Sequence, residues 1–368
     1  MLKIGIVTIT DYLNIGNRLQ NLAVQIVFEN RYHAKVETIQ NFGNNLNFRN
    51  NCSKEYFKKT KKQYLKNVLK GYIYEEFRKY LKFYKFNKNI NISKYYFCKD
   101  SNYDKIDKSF NYFVVGSDQV WNPMFFYNFL YNNFLMFTSK NKKITFSPSI
   151  SVPEIPKEKE NEMIEYLDSF DQIFIREESS VDLIKKYTNV CSDWMFDPTL
   201  FLTKDEWLEY SSKKLKINQN YVLTYFLGDI AEELKYEIYL FAREKKLQII
   251  NINNQNGSHE ECFSPDEFIF LINNASYVFT DSFHGSVFSF IFEKRVIIYN
   301  RKGTVNLNSR IESLVNNLNL QRLKRSSIEN LSDIDEINID YVRAREIINQ
   351  KKEQFFIYLD NKIKGTTI

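Results

Sequence analysis

Ser282 and His284 are the residues of this sequence whose types and spacing most directly indicate chemistry. They follow the apolar run 275–279, which is typical of a buried strand, and Gly285 relieves the turn that comes next. From Val287 onward the pattern is helical. The carboxyl end of a strand in an open α/β sheet is where ligands bind, and a helix N-terminus favours an anion. His284 is therefore a candidate site residue; a histidine satisfied by local hydrogen bonds is the alternative.

Polar side chains follow other predicted strands in the same way. The chain opens with a strand over 3–9, a polar turn over 11–16 and a helical pattern. A Gly-Ser-Asp turn follows the strand 112–115, and Arg176 stands at the end of the strand 170–175. The candidate site residues in the first half are Asn14, Gly16, Asn17, Gln20, Ser117, Asp118, Gln119, Trp121, Asn122 and Arg176. Those in the second half are Ser282, His284, Gly285, Ser286, Arg301, Lys302 and Arg310.

Many of these residues also have a structural explanation. Asn14 or Asn17 can cap the helix that follows. Asp118 and Asn122 can bond the backbone of their own turn. The acidic residues open to Arg176 as ion-pair partners are Glu177 and Asp197. These alternatives stay open at this point.

The motifs of several common site types are missing from the sequence. The opening loop is not GxGxxG, no P-loop occurs, and Ser282 does not lie in GxSxG. No cluster has metal-ligand spacing, so no metal is expected. Carboxylates and amides in the first half suit sugar hydroxyls, while a histidine and cations in the second suit a phosphorylated donor. The residues therefore favour a transferase that works by acid–base chemistry.

Composition limits the class of protein. With 368 residues, of which 43% are hydrophobic, the chain is long enough for two cored domains. A net charge of +6 suits anionic partners. The four cysteines lie far apart and form no CxxC, which fits a reducing cytoplasm rather than a zinc or disulfide framework. No apolar run reaches membrane-spanning length, so we expect a cytoplasmic protein, at most peripheral at the inner face of the plasma membrane.

The βα patterns predict two Rossmann-like domains that face each other across a cleft, an α/β architecture. The first domain is expected over 1–205, the linker over 206–220 and the second domain over 221–340. Residues 341–368 are expected to form a helix that packs back on the first domain.

A basic and aromatic insertion interrupts the first domain at 54–90, most densely over 54–88. Helical spacing places its aromatic residues on one face and its lysines on the other. One explanation is a solvated helix pair packed on the domain. Another is an interfacial patch for anionic lipid head groups or a lipid-linked diphosphate. Nucleic acid is not expected, because no binding-module signature is present.

Five short blocks in order carry a family resemblance. They are Gly16-Asn17-Arg18-Leu19-Gln20-Asn21, Val115 to Pro123, Arg176-Glu177 with Ser179, Asp197-Pro198-Thr199, and Thr280 to Gly285; Ser309-Arg310-Ile311 also fits. Through them the sequence resembles the polysaccharide pyruvyl transferases over most of its length. It departs from the pattern at Lys294-Arg295, where Lys-Pro is expected, and at Phe146-Ser147-Pro148-Ser149, which replaces a more alanine-rich stretch.

The resemblance implies a GT-B-like fold and phosphoenolpyruvate as donor, with no cofactor besides this co-substrate. It implies a pyruvate ketal on two hydroxyls of a hexose in a bacterial exopolysaccharide or capsule precursor, whose acceptor glycan is free or lipid-linked. His284 would then be the general acid, and Asp118 a base or hydroxyl orienter. Phosphate or carboxylate would be held by the helix N-terminus at Gly285-Ser286 with Arg301, Lys302 or Arg310, and Arg176 would be a second anion clamp.

Two alternatives accompany this interpretation. A GT-B glycosyltransferase would use a nucleotide sugar and should carry a nucleotide-recognition acid in the second domain, for which Glu293 is a poor candidate. A non-catalytic, membrane-associated glycan-assembly protein would be tethered through 54–88 and would tolerate loss of His284.

Overall fold

The protein consists of two α/β units built on parallel sheets, which confirms the predicted fold class. The computed structural model describes residues 1–42, 75–98, 100–125, 129–252, 262–301 and 308–365. One unit comprises Met1–Phe201 with Leu359–Ile368, and the other Leu202–Tyr358. Lys302 and residues 54–74 of the basic insertion lie outside the described residues.

The strands are β1 Lys3–Val7, β2 Lys35–Asn41, β3 Ile92–Phe97, β4 Tyr112–Val115, β5 Lys143–Thr145, β6 Gln172–Ile175, β7 Cys191–Trp194, β8 Tyr221–Tyr225, β9 Gln248–Asn251, β10 Tyr277–Thr280 and β11 Arg295–Ile298. The α-helices are α1 Ile15–Tyr32, α2 Glu75–Asn87, α3 Tyr103–Asp107, α4 Leu130–Asn133, α5 Glu160–Asp168, α6 Glu178–Tyr187, α7 Lys204–Glu209, α8 Glu232–Glu244, α9 Pro265–Asn274, α10 Phe283–Ile291, α11 Ser309–Asn317 and α12 Tyr341–Lys364. Short 3₁₀ turns lie at Lys140–Lys142, Lys157–Lys159, Pro198–Phe201, Gln321–Leu323, Arg325–Ser327 and Leu331–Asp335.

The first unit contains a five-stranded parallel sheet in the order β3-β2-β1-β4-β5 and a parallel β6-β7 pair. Its central strands are apolar runs, and Ile4, Ile6 and Phe113 are fully buried, as expected for a sheet covered on both faces. In register, Gly5 of β1 pairs with Phe113 of β4. Because all five strands are parallel, the segments after β1, β4 and β5 leave the sheet at the same edge.

The second unit contains a four-stranded parallel sheet in the order β11-β10-β8-β9. Helix α10, which follows β10, packs its Phe288 ring against Trp207 of α7, with ring centroids 4.9 Å apart. Helix α7 begins with a capping box between Thr203 and Glu206. This helix lies partly within the range assigned to the linker, and the boundary between the units falls between residues 201 and 202.

The closing helix α12 ends in the first unit, to which residues from Leu359 onward belong. Asp360 pairs with Arg31 at 2.8 Å and accepts a hydrogen bond from the Tyr32 hydroxyl at 2.7 Å. The Tyr112 hydroxyl donates to the Lys362 carbonyl at 3.0 Å. The C-terminal part of α12 is therefore fixed beside α1 and β4.

Helix α2 forms most of the described part of the basic, aromatic insertion. Its Phe83 and Phe86 are buried and its Lys85 is exposed, the arrangement of an amphipathic helix packed on a domain. No helix in the described ranges is long and apolar enough to cross a membrane.

Lys143 is a buried cation at the start of β5. Its Nζ donates to the Ser169 hydroxyl at 2.8 Å and lies 5.1 Å from the centre of the Phe170 ring. Burial, with a smaller effect of the Lys140 charge, lowers the pKa of Lys143 from 10.5 to about 8. Below that pH the folded protein holds Lys143 in its charged form in a buried position. Between about 8 and 10.5 it releases a proton that the unfolded chain keeps, so stability rises with pH.

Lys143→Met should therefore stabilise the protein at pH 7, by about 1–2 kcal/mol after solvent screening of the charge and the lost hydrogen bonds to Ser169 and the Phe134 carbonyl are subtracted. The advantage should shrink as the pH rises from 8 towards 10.5. Urea unfolding midpoints of both proteins at several pH values test this. Lys185→Met, the same change at an exposed site of α6, should show neither the gain nor its pH dependence. A Lys143→Met protein less stable than the wild type at pH 7 would contradict the prediction.

Candidate functional site

The start of α1 is bound to the turn after β4 by side-chain hydrogen bonds. Gln20 Nε2 donates to Thr8 Oγ1 at 2.9 Å, and Thr8 Oγ1 donates to the Ser117 carbonyl at 2.9 Å. Asn17 Nδ2 donates to Asp118 Oδ2. We call this group the amide–carboxylate cluster; its members are Thr8, Asn17, Gln20, Ser117, Asp118, Arg176, Glu177 and Asp197.

Asn14, by contrast, serves as the N-cap of α1. Its Oδ1 accepts the Asn17 backbone N–H at 3.0 Å, so of the two candidates for this capping role Asn14 fills it. Gly16 is buried in the first turn of the helix. The side chains of Asn17 and Gln20 are thereby left to the cluster.

Asp118 has a backbone conformation that only few non-glycine residues adopt, with φ at 79°. The strain is supported on both sides. Its Oδ1 accepts the Gln119 N–H at 2.8 Å, and its carbonyl accepts the Ser149 N–H at 2.8 Å. At Gly116 a Cβ would lie 2.9 Å from the Cβ of Thr8, so only glycine lets the turn approach β1 this closely. Strained residues held in this way concentrate at functional sites.

Arg176 lies beneath this turn and faces carboxylates. Its guanidinium is 3.3 Å from Asp197 Oδ2, 3.5 Å from Glu177 Oε1 and 3.8 Å from Asp118 Oδ1. Ser117 Oγ donates to Asp197 Oδ2 at 2.7 Å. Arg176 and Asp197 are 2% and 0% exposed, so the charge of Arg176 is compensated inside the cluster. The ion pair is the alternative that forms, and the anion clamp expected at Arg176 has no open face here.

Trp121 and Asn122 do not line an open wall, as the sequence suggested they would. The Trp121 ring is fully buried, stacks on Phe134 at 4.3 Å, and donates its Nε1–H to the Asn133 carbonyl at 2.9 Å. Asn122 Oδ1 accepts the Met124 N–H at 2.9 Å, closing its own turn. Neighbouring polar residues gave no signal that the apolar core continues through this loop.

The second group lies at the N-terminus of α10 and is called the helix-terminus cluster; its members are Tyr225, Asp281, Ser282, His284, Arg301 and Arg310. Ser282 caps the helix, because its Oγ accepts the Gly285 N–H at 3.3 Å. The Ser286 hydroxyl donates to the Ser282 carbonyl at 3.1 Å. A Cβ at residue 285 would overlap Thr280 Oγ1, so glycine is required where the helix leaves the strand.

Asp281 joins this helix end to two loops, a role that the sequence did not indicate. Its carboxylate accepts the backbone N–H groups of Leu227 and Gly228 at 2.6 and 2.9 Å. Its Oδ2 lies 3.6 Å from Arg301 Nε, and Arg301 also donates to the Asp281 carbonyl at 3.3 Å. Tyr225 was missed as well. Burial raises the pKa of Tyr225 to about 12, against the opposing effects of a Ser282 hydrogen bond and the Arg301 charge.

His284 occupies the first turn of α10 and is 7% exposed. Its ring stands perpendicular to that of Phe283, with centroids 5.3 Å apart. The Arg310 guanidinium lies 6.0 Å from the centre of the same Phe283 ring. An imidazole, a helix N-terminus and two guanidinium groups thus belong to one cluster, which suits an anionic ligand that takes up a proton. Within the described ranges, no three His, Cys, Asp or Glu side chains form a metal-binding group.

Comparison with known proteins gives one family and one fold. The family model described as Polysaccharide pyruvyl transferase matches residues 14–303. No curated protein matches the chain. The chain is similar to the crystal structure of UDP-GlcNAc 2-epimerase from Neisseria meningitidis bound to UDP-GlcNAc, with a TM-score of 0.51 and 10% identity over 96% of this chain and 100% of that one. The S. aureus MnaA–UDP co-structure has a TM-score of 0.48 and 12% identity over 99% and 98%. At 10% identity, the similarity to the N. meningitidis structure shows a shared fold alone. Nothing is inferred from the S. aureus structure, whose TM-score is below 0.5.

Proposed function

Because the chain belongs to the polysaccharide pyruvyl transferase family, we propose that it moves the enolpyruvyl group of phosphoenolpyruvate onto two hydroxyls of a hexose. The acceptor is a precursor of a bacterial surface polysaccharide, free or lipid-linked, and the product is a pyruvate ketal. Membership of this family supports pyruvyl transfer in polysaccharide biosynthesis. The phosphoenolpyruvate donor and the ketal product are proposed from His284 in the first turn of α10, beside Asp281 and Phe283, which contact Arg301 and Arg310.

The helix-terminus cluster is the proposed donor site. Phosphoenolpyruvate carries a phosphate and a carboxylate, and both are stabilised by helix N–H groups and guanidinium side chains. Asp281 holds Arg301 and the loop at Leu227 in place through the contacts described above. The site thus presents cations with little reorganisation, which favours stabilisation of charge in the transition state.

The proposed chemistry begins with a proton passing from His284 to the methylene carbon of the enolpyruvyl group. The alkene electron pair forms the new C–H bond, and C2 becomes an oxocarbenium-like centre. One sugar hydroxyl adds there and gives up its proton to Asp118. Phosphate then leaves with the electron pair of its C–O bond, and the second hydroxyl closes the ketal and releases its proton. Of the two hydroxyl protons, one restores the protonated state of His284. The other protonates the departing phosphate.

The amide–carboxylate cluster is the proposed acceptor side. Carboxylate and amide groups hydrogen-bond sugar hydroxyls in both directions, as donor and as acceptor. Asp118 is its most accessible acid, with a side chain 12% exposed compared with 1% for Glu177 and 0% for Asp197. Its strained turn and the Asn17 hydrogen bond fix the direction of this carboxylate.

The proposal is tested by turnover in deuterated water with phosphoenolpyruvate and a panel of p-nitrophenyl hexosides. We expect phosphate release together with a ketal methyl group that carries one deuterium, seen by NMR and mass spectrometry. The deuterium reports the proton delivered to the methylene carbon. Thermal stabilisation by phosphoenolpyruvate, but not by a panel of nucleotide sugars, should accompany it. Stabilisation by a nucleotide sugar alone, with glycosyl transfer to the hexosides, would instead identify a glycosyltransferase.

A further inference from the structure

A cavity of about 670 Å³ opens at the edge of the first unit's sheet opposite the amide–carboxylate cluster. Its walls come from the amino ends of the strands: Lys3 begins β1, Lys35 begins β2, and Ile92 begins β3. Parallel strands separate their two ends by the full length of the sheet, so this cavity is distinct from the sites described above. We call it the lysine pocket, after the lining residues Lys3, Lys35, Lys94 and Lys108.

The lysine pocket carries an excess of positive charge. Among the described residues that line it, the one acidic side chain is Glu37, which pairs with Lys35 at 2.6 Å. Across the ranges that the structure describes, Lys3, Lys94 and Lys108 form no ion pair. Four lysines against one glutamate leave three positive charges in one concavity, within a chain whose whole net charge is +6. Clefts lined by one sign of charge concentrate the field and attract counter-ions.

The wall of the pocket includes two aromatic rings, those of Tyr95 and Phe110. Phe110 is 5% exposed and contacts the edge of the Tyr95 ring, with centroids 6.1 Å apart. Lys94 Nζ lies 5.2 Å from the centre of the Tyr95 ring. A hydrogen bond from Ser109 lowers the pKa of Tyr95, and the charges of Lys94 and Lys105 act in the same direction. Lys94 thus lies against an aromatic ring of the pocket wall.

We propose that the lysine pocket binds a multivalent phosphate group, either on a free phosphorylated metabolite or on the head group of an anionic lipid. Ammonium groups are compact point charges that bind phosphate without the fixed planar geometry a guanidinium imposes. The volume exceeds that of a single phosphate and is ordinary for a small-ligand site. This inference is independent of the reaction proposed above, because no residue of the pocket belongs to either cluster.

The test measures binding of inorganic pyrophosphate by calorimetry to the wild type and to two variants that leave the donor site intact, so that any binding at the donor site is common to all three proteins. We expect binding that weakens about tenfold in Lys94→Gln/Lys108→Gln, the loss of about 1.4 kcal/mol that two such contacts contribute. Lys157→Gln/Lys185→Gln makes the same charge change at exposed sites of the same unit and should bind as the wild type does. Pyruvyl transfer should be unchanged in both variants.

A second arm uses phosphatidylcholine vesicles with and without phosphatidic acid. If vesicles with phosphatidic acid bind the wild type but not the Lys94→Gln/Lys108→Gln protein, the phosphate group that the pocket binds belongs to a lipid head group. If only pyrophosphate distinguishes the two proteins, the source is a free metabolite. Absence of binding by both probes, or equal binding by the pocket and control variants, would overturn the proposal. Because pyruvyl transfer is assayed separately, failure of this inference is distinguishable from failure of the proposed function.

Discussion

Replacing His284 by asparagine should lower kcat for pyruvyl transfer by about 10²–10⁴-fold, the usual contribution of a positioned general acid. Asparagine keeps a polar side chain in the first turn of α10 but cannot deliver a proton to carbon. The affinity for phosphoenolpyruvate should change little, because Arg301, Arg310 and the helix N–H groups remain. Steady-state kinetics with calorimetric titration of phosphoenolpyruvate separates the two effects.

His33→Asn is the matched control for this change. His33 is exposed, follows α1 and has φ of 48°, a left-handed conformation that asparagine tolerates well. The variant should keep wild-type kcat and stability. A third comparison, His284→Ala, should lose activity to the same degree while its unfolding midpoint stays close to that of His284→Asn. A His284→Asn enzyme with full kcat would remove the assignment of His284 as the acid.

The ends of the strands could be predicted well from the sequence, because a buried strand followed by a polar turn has a recognisable local pattern. Apolar runs followed by small polar turns predicted the ends of β1, β4, β6 and β10, and helical spacing predicted α1 and α10. The structure has strands and helices in these places. Parallel pairing then brings the polar turns of each unit together without further information.

The partners of each polar side chain could not be predicted, because they are distant in the chain. Asn17 meets Asp118 across 101 residues, Ser117 meets Asp197 across 80, and Asp281 meets Leu227 across 54. Local sequence patterns carry no information about contacts between residues so far apart in the chain. For the same reason Arg176 was open to two explanations, and only its three carboxylate neighbours decide between them.

Trp121 shows a different limit of sequence interpretation. Its neighbours Gln119 and Asn122 are polar, which suggested a lining of the site, yet the ring stacks on Phe134 in the core. Whether a residue is buried depends on which other segments of the unit pack against it. A tryptophan whose N–H finds a carbonyl, as Trp121 finds that of Asn133, is stable in such a place.

Arg176→Met should destabilise the first unit by about 3–5 kcal/mol, the usual cost of removing one partner from a buried ion pair. Methionine keeps most of the apolar volume of the side chain, so the loss reports charge rather than packing. Asp197 and Glu177 would then be buried beside Asp118 without their cation. Urea unfolding of the purified variant measures the cost. Pyruvyl transfer should fall as well, because the turn that carries Asp118 loses its support.

Two companion variants show whether charge is the cause. Arg343→Met removes an arginine from an exposed pair with Glu346, whose side chains are 59% and 55% exposed, and should cost less than about 1 kcal/mol. Arg176→Met/Asp197→Asn removes one carboxylate together with the cation. The double variant should therefore lose less stability than the sum of the losses in the two single variants. If Arg176→Met were as mild as Arg343→Met, the carboxylates of the cluster would not depend on this guanidinium, and Arg176 would be free to serve as the anion clamp that its position in the sequence suggested.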